Sequence, residues 1–278
     1  MTKGQFLERS VAIPTAGGLM LDGLYHRGLR GPACVIAAPH PALGGSMTVP
    51  AINELAWALT RGGHATLRFD YRGVGGSQGR SPHALAPPDD PGSELGSGSA
   101  PPRITPALIG AEVVDLLAAA DQLAATTSAS AAEGGDAGLC AIGYSFGACV
   151  VLAAHAGARW QKLVLVAPPT ALADLGALAE VRQPILIVCA QHDPLCDRAL
   201  LNRLIAPLGE SARLEVIPHA DHGFRRGSSA LGQVVAEWLR AGRPLLRTLP
   251  EADDEPDPEV VELELPDDGE PPLELDDG

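Results

Sequence analysis

The chain places a serine between two glycines, at the end of one apolar run and the start of another. Gly138-Leu139-Cys140-Ala141-Ile142 leads into Gly143-Tyr144-Ser145-Phe146-Gly147, and Val150, Val151, Leu152 and Ala153 follow. This reads as strand, G-x-S-x-G turn and helix, the context in which that motif carries meaning. A side chain at the tip of such a turn needs strained backbone angles and close approach of strand to helix. Small residues two positions to either side permit both. The helix N-terminus then aims backbone N–H groups at any negative charge that develops beside Ser145.

The rest of the chain alternates in a way that suits such a turn. Val11-Ala12-Ile13-Pro14 and residues 19–25 read as an opening hairpin around Gly17-Gly18. Strands are then expected at 33–38, 64–70, 138–144, 162–167, 184–190 and 212–217. Helices are expected at 49–61, 106–125, 145–157, 197–207 and 229–241. The alternation predicts an α/β protein with a doubly wound, mostly parallel sheet flanked by helices. About sixteen residues separate the strand ending near Ala167 from the one starting near Pro184. That is too few for a large helical cap, so minimal or no cap domain and an open site are expected.

A serine hydroxyl is a weak nucleophile at neutral pH and needs a base, which in turn needs an orienting carboxylate. In α/β sheets of this kind the order along the chain is Ser, Asp or Glu, His. The run Pro184-Ile185-Leu186-Ile187-Val188-Cys189-Ala190 ends in Gln191-His192-Asp193-Pro194, a turn signal. Asp193 therefore stands just past a strand's C-terminal end, where open parallel sheets put their sites. Leu214-Glu215-Val216-Ile217-Pro218 ends in His219-Ala220-Asp221-His222-Gly223-Phe224. His222 is the expected base, with His219 its competitor. Asp197 and Asp221 compete with Asp193. Asp197 falls at the first turn of the next helix, where an acid serves the dipole, and Asp221 adjoins His222 too closely to orient its ring. His192, Asp193, His219 and His222 have no recognised metal-ligand spacing, so no metal or other cofactor is expected.

A tetrahedral oxyanion needs two donors. The Phe146 N–H is the first by position. The second is sought in Pro39-His40-Pro41-Ala42-Leu43-Gly44-Gly45-Ser46-Met47, the loop after the strand at 33–38. Pro41 has no N–H, so Ala42 is the expected donor, with Leu43 second. His40 precedes the nucleophile and is read as shaping this loop. Substrate is expected against His40, Leu43, Gly44 and Tyr144. The glycines of Arg72-Gly73-Val74-Gly75-Gly76-Ser77 match neither G-x-G-x-x-G nor a phosphate loop. They read as a tight turn after a strand, with Arg72 a structural charge partner.

These stretches resemble the α/β-hydrolase superfamily. More narrowly they resemble bacterial predicted serine hydrolases with HPLxGG, RFNFRGVGxS, GxSFG and GADHFF segments. The matching residues are His40 to Met47, Arg68 to Ser77, Gly143 to Gly147 and His219 to Phe224. The resemblance spans roughly residues 10–241. It implies an α/β-hydrolase fold with Ser145, Asp193 and His222 as a catalytic triad. Asp70-Tyr71 departs from the family's Asn-Phe, His219 stands where that pattern has Gly, and a longer Pro/Gly/Ser segment follows Gly79.

Charge is distributed unevenly. Fourteen of the 34 acidic side chains lie in residues 251–278, which hold no basic one, so the 20 acids of residues 1–250 match the 20 lysines and arginines. A formally neutral body with an acidic end argues against nucleic-acid binding through a basic patch. Residues 1–243 read as the catalytic domain and 244–278 as a disordered, Pro-rich acidic tail. Within it Val260-Val261-Glu262-Leu263-Glu264-Leu265 alternates like a strand, a candidate motif for a protein partner's sheet edge. Residues 77–105 form an irregular insertion, read either as a loose loop or as a flap over Ser145. Cys34, Cys140, Cys149, Cys189 and Cys196 suit reduced core thiols, with Cys196 the one expected at the surface. No signal peptide or membrane span is evident, and a cytoplasmic location is expected.

The expected activity is therefore hydrolysis of a small ester or thioester through an acyl-enzyme. Acyl transfer, peptide cleavage and a non-catalytic binding protein on the same fold are the alternatives. The oligomeric state is left open.

Overall fold

One sheet of eight strands forms the centre of the described residues. The strands are β1 (Arg9–Pro14), β2 (Met20–His26), β3 (Arg30–Ala37), β4 (His64–Phe69), β5 (Leu139–Tyr144), β6 (Trp160–Val166), β7 (Ile185–His192) and β8 (Ala212–Asp221). Their order is β1-β2-β4-β3-β5-β6-β7-β8. The opening hairpin pairs antiparallel to itself and to β4, and every later pairing is parallel. The computed structural model describes residues 8–83, 103–131, 138–156 and 160–241. The chain divides into two units, Met1–Leu246 and Arg247–Gly278. The second unit, with the acidic tail and Val260–Leu265, lies outside the described residues, as do 84–102 of the insertion.

The central strands are apolar on both faces, and the period of two divides their side chains between two layers. Cys34, Ile36, Cys140, Ile142, Val164, Val166, Leu186 and Val188 face α1 (Pro50–Arg61) and α5 (Ser228–Ala241). Val35, Ala37, Ala141, Leu163, Leu165, Ile185 and Ile187 belong to the opposite layer. That layer also holds residues of α2 (Gly110–Ala131), α3 (Phe146–Ala153) and α4 (Arg198–Ile205). The result is a doubly wound sheet, as the alternation predicts. Between β6 and β7 the only helical element is a 3-10 turn at Gly176–Glu180, so no cap domain is inserted there.

Several boundaries differ from the sequence reading, and three of them have a visible cause. The N-terminal side of α2 is occupied by a turn, with Leu108 N–H on Thr105 C=O, so the helix starts at Gly110 rather than 106. The helix after Ser145 ends at Ala153 rather than 157, because the Ala154 N–H divides between the Val150 and Val151 carbonyls and tightens the last turn. β8 continues past Pro218 to Asp221, because its pairing with β7 resumes after a register shift at His192↔Asp221. His219 therefore belongs to the strand. Arg72 is the structural partner expected of it. Its guanidinium lies 2.7 Å from the buried Asp115 carboxylate on α2, and its backbone N–H bonds the same group.

Candidate active site

Ser145 sits between β5 and α3 with φ 55° and ψ −115°, angles that L side chains rarely adopt. Its N–H is tied to the Val166 carbonyl of β6 at 2.8 Å. The flanking glycines are required by contact. A Cβ on Gly143 would run into the Gly147 carbonyl, and one on Gly147 would run into the carbonyls of Ala37 and Ala38. Strand, helix and β3 backbone thus meet directly beneath the serine. Phe146 opens α3, so its N–H has no intrahelical acceptor.

Two further strand ends deliver partners to Ser145. Its Oγ lies 3.0 Å from His222 Nε2, and His222 Nδ1 lies 2.8 Å from Asp193 Oδ2. The Asp193 side chain is fully buried and its other oxygen accepts the Leu195 N–H at 2.9 Å. The His222 side chain keeps 25% exposure, so one edge meets solvent. Tyr144 is buried and donates its hydroxyl to the His222 carbonyl at 2.8 Å. Burial, with Asp193 and Asp221 nearby, pushes its phenol up to about 12, so it remains a donor. Tyr144 thus braces the His222 loop, where the sequence reading has it against substrate.

The competitors are engaged elsewhere. His219 is exposed and its N–H is held by Gln191 Oε1 at 2.7 Å. Asp197 caps α4 by accepting the Leu200 N–H at 3.0 Å. Asp221 accepts the Arg225 N–H at 3.1 Å.

The loop after β3 tightens into a 3-10 turn, Pro41–Leu43, capped by His40. His40 Nδ1 accepts the Ala42 N–H at 3.2 Å, and the His40 carbonyl accepts the Leu43 N–H at 3.0 Å. The two candidate second donors are therefore occupied within their own loop, because a turn this tight satisfies its N–H groups internally. Gly44 closes the turn at φ 78°, and Leu43 projects with 83% exposure. The far end of the loop is pinned by Asp70, whose carboxylate accepts the Met47 N–H at 2.7 Å. The sequence reading did not give Asp70 this part. The signal was its acid at the end of an apolar strand, where the related pattern has Asn.

Residues 106–243 match the Dienelactone hydrolase family. An uncharacterized protein of Mycobacterium tuberculosis is 28% identical over 238 residues, covering 77% of this chain and 72% of its own. A serine hydrolase homologue from Coxiella burnetii superposes with a TM-score of 0.64 at 24% identity, covering 83% of this chain and 97% of that one. A serine hydrolase without lid from Xanthomonas campestris gives 0.63 at 23% identity, covering 86% and 97%. The chain has the α/β-hydrolase fold. Among its described residues, no helix is long and apolar enough to cross a membrane, and no cluster of three or more His, Cys, Asp or Glu side chains is arranged to hold a metal ion.

The fold carries a second group of polar side chains behind Phe146. The His83 ring packs edge-on against His40 and Phe146, with centroids 4.8 and 5.3 Å away. Burial and His83 together hold His40 below the usual imidazole range, leaving its Nδ1 free to accept from Ala42. His83 Nε2 stands 3.4 Å from Glu112 Oε1. The Glu112 side chain is fully buried and neither carboxylate oxygen accepts a hydrogen bond, and the nearby Tyr71 hydroxyl also lacks a partner. Burial raises the Glu112 carboxyl against smaller opposing effects of its own backbone N–H and of His83. A carboxyl raised on folding stabilises fully below its unfolded value and loses that contribution as pH rises through the folded one. Glu112→Gln removes the ionisation. Its melting temperature should therefore gain on wild type between pH 5 and pH 8, by about 2–4 °C. Thermal melts of both proteins across that range check it, and a gap that shrinks with pH contradicts it.

Proposed function

We propose that this α/β hydrolase cleaves small carboxylic esters or thioesters through an acyl-enzyme on Ser145. The observation that carries the reading is the unbroken hydrogen-bond chain from Ser145 Oγ through His222 to Asp193, at 3.0 and 2.8 Å. His222 Nε2 takes the Ser145 proton as Oγ attacks the acyl carbon, then delivers it to the leaving alcohol or thiol. Asp193 keeps the other ring nitrogen as the donor and offsets the charge of the imidazolium. The Phe146 N–H receives the developing oxyanion. Ala42 supplies the second donor by turning its N–H away from His40 Nδ1, a long bond at 3.2 Å. Water then attacks the acyl-enzyme with His222 as base, and Ser145 is regenerated.

The test is labelling by a fluorophosphonate probe. Folded wild type is expected to carry the label on Ser145, and Ser145→Ala to carry none. An unlabelled, folded wild type would leave a binding protein on a hydrolase fold as the better description.

Substrate size follows from the absence of a cap between β6 and β7. In the loop after β3, Leu43 is the exposed large apolar side chain among the described residues. Each buried methylene contributes only about 0.8 kcal/mol even when fully covered. Specificity constants on p-nitrophenyl esters are therefore expected to peak at short chains, about C2 to C6, and to fall beyond. A maximum at C12 or longer defeats the open-site reading and points to residues 77–105 as the missing wall.

A further inference from the structure

The segment that carries Asp193 is bracketed by two cysteines. Cys189 lies in β7 and Cys196 lies just before α4, and their sulfur atoms are 3.0 Å apart. Unbonded heavy atoms, even carbons smaller than sulfur, settle about 3.5–4.0 Å apart. A disulfide needs about 2.05 Å, so about 1 Å of further approach joins them. The backbone of this turn is already set from both sides. Asp193 C=O accepts the Cys196 N–H, Leu195 C=O accepts from Ala171 N–H and from the Thr170 hydroxyl, and Thr170 Oγ1 accepts the Asp197 N–H.

The other three cysteines are placed differently. Cys34 and Cys140 sit opposite each other on β3 and β5 in the fully buried core, and Cys149 is buried in α3. Cys196 was expected at the surface, but it is only 7% exposed because Cys189 and the Thr170 loop cover it. It is nonetheless the most accessible of the five. Cys189 has no exposure.

We propose that Cys189 and Cys196 are a reversible disulfide site that cross-links the turn carrying Asp193, with a peroxide as oxidant. The Cys196 sulfur attacks one oxygen of hydrogen peroxide and the O–O bond breaks. The thiol proton leaves with the other oxygen as water, and Cys196 becomes a sulfenic acid. The Cys189 sulfur then attacks the Cys196 sulfur. The S–O bond breaks, and the hydroxide departs with the Cys189 proton as a second water. The two thiols lose two electrons and the peroxide gains them. Its bond to Cys196 and its burial both push the Cys189 thiol upward, which makes Cys196 the first target; oxidation of Cys196 removes that bond, and Cys189 releases its proton as its sulfur attacks. A dithiol reductant reverses the bond by exchange. This site does not depend on the catalytic reading of Ser145.

The experiment treats the reduced full-length chain with a few equivalents of hydrogen peroxide. Alkylation after denaturation should count five thiols before and three after, since all five cysteines are free at the start. Peptide mapping should find residue 189 linked to residue 196. The melting temperature should rise by about 5 °C, because a short loop of the unfolded chain is closed. Dithiothreitol should restore both values, and Cys189→Ala or Cys196→Ala should abolish the cross-link and the rise. Five thiols retained, a link between other cysteines, a sulfinic acid at Cys196 in place of the link, or the same rise in Cys189→Ala would each overturn the proposal.

Discussion

Replacing His222 with alanine is expected to lower turnover by roughly 10^4- to 10^6-fold, while His219→Ala costs far less. The two histidines are three residues apart and both follow apolar strand sequence, so composition does not separate them. Their surroundings do. His222 reaches Ser145 Oγ with one nitrogen and Asp193 with the other, and Tyr144 fixes its backbone. His219 is exposed, with its own N–H spent on Gln191. Steady-state kinetics on a short-chain ester, with circular dichroism to show that both variants fold, measure the difference. The reverse ranking would move the base to His219 and break the proposed mechanism. Tyr144→Phe should fall between the two, since it removes a brace and leaves the ring's own bonds in place.

The second large effect is structural. Gly147→Ala is expected to cost about 2–4 kcal/mol of stability, because its Cβ meets the backbone carbonyls of Ala37 and Ala38 rather than a side chain that can rotate away. The helix would have to lift off β3, and Ser145 would move with it. Gly110→Ala is the control. A Cβ there has nothing within 4 Å, so the change should stay within about 1 kcal/mol and favour the helix. Urea unfolding midpoints compare the two. A Gly147→Ala protein as stable as wild type would mean that the turn has slack that the contacts do not indicate.

The strain at Ser145 is supported by the layers that surround it. A serine at φ 55° is held there by β3, β5 and α3 closing around it, and the cost of that backbone is spread over the buried layers on both faces of the sheet. The buried Glu112 adds to it. Its carboxylate faces His83, and the ring of His83 in turn touches His40 and Phe146. An unsatisfied acid one layer behind the site is a liability for stability at neutral pH, which is why the Gln replacement should gain as pH rises.

Much of this molecule was legible along the chain because it depends on local repetition. Short continuous apolar runs, buried on both faces, mark strands such as 33–38 and 184–190. Gly143 and Gly147 mark a turn that tolerates no Cβ. Ser145, Asp193 and His222 follow β5, β7 and β8, and they share one edge of the sheet because these parallel strands all finish there. Other features depend on atoms that meet through space from distant parts of the chain, and no local pattern encodes them. That the Ala42 N–H turns back onto His40, that Asp70 pins Met47, and that Tyr144 braces His222 are outcomes of packing. The same holds for Cys189 and Cys196. Their spacing in sequence looks ordinary, and only the bend that brings Asp193 toward His222 sets their sulfurs 3.0 Å apart.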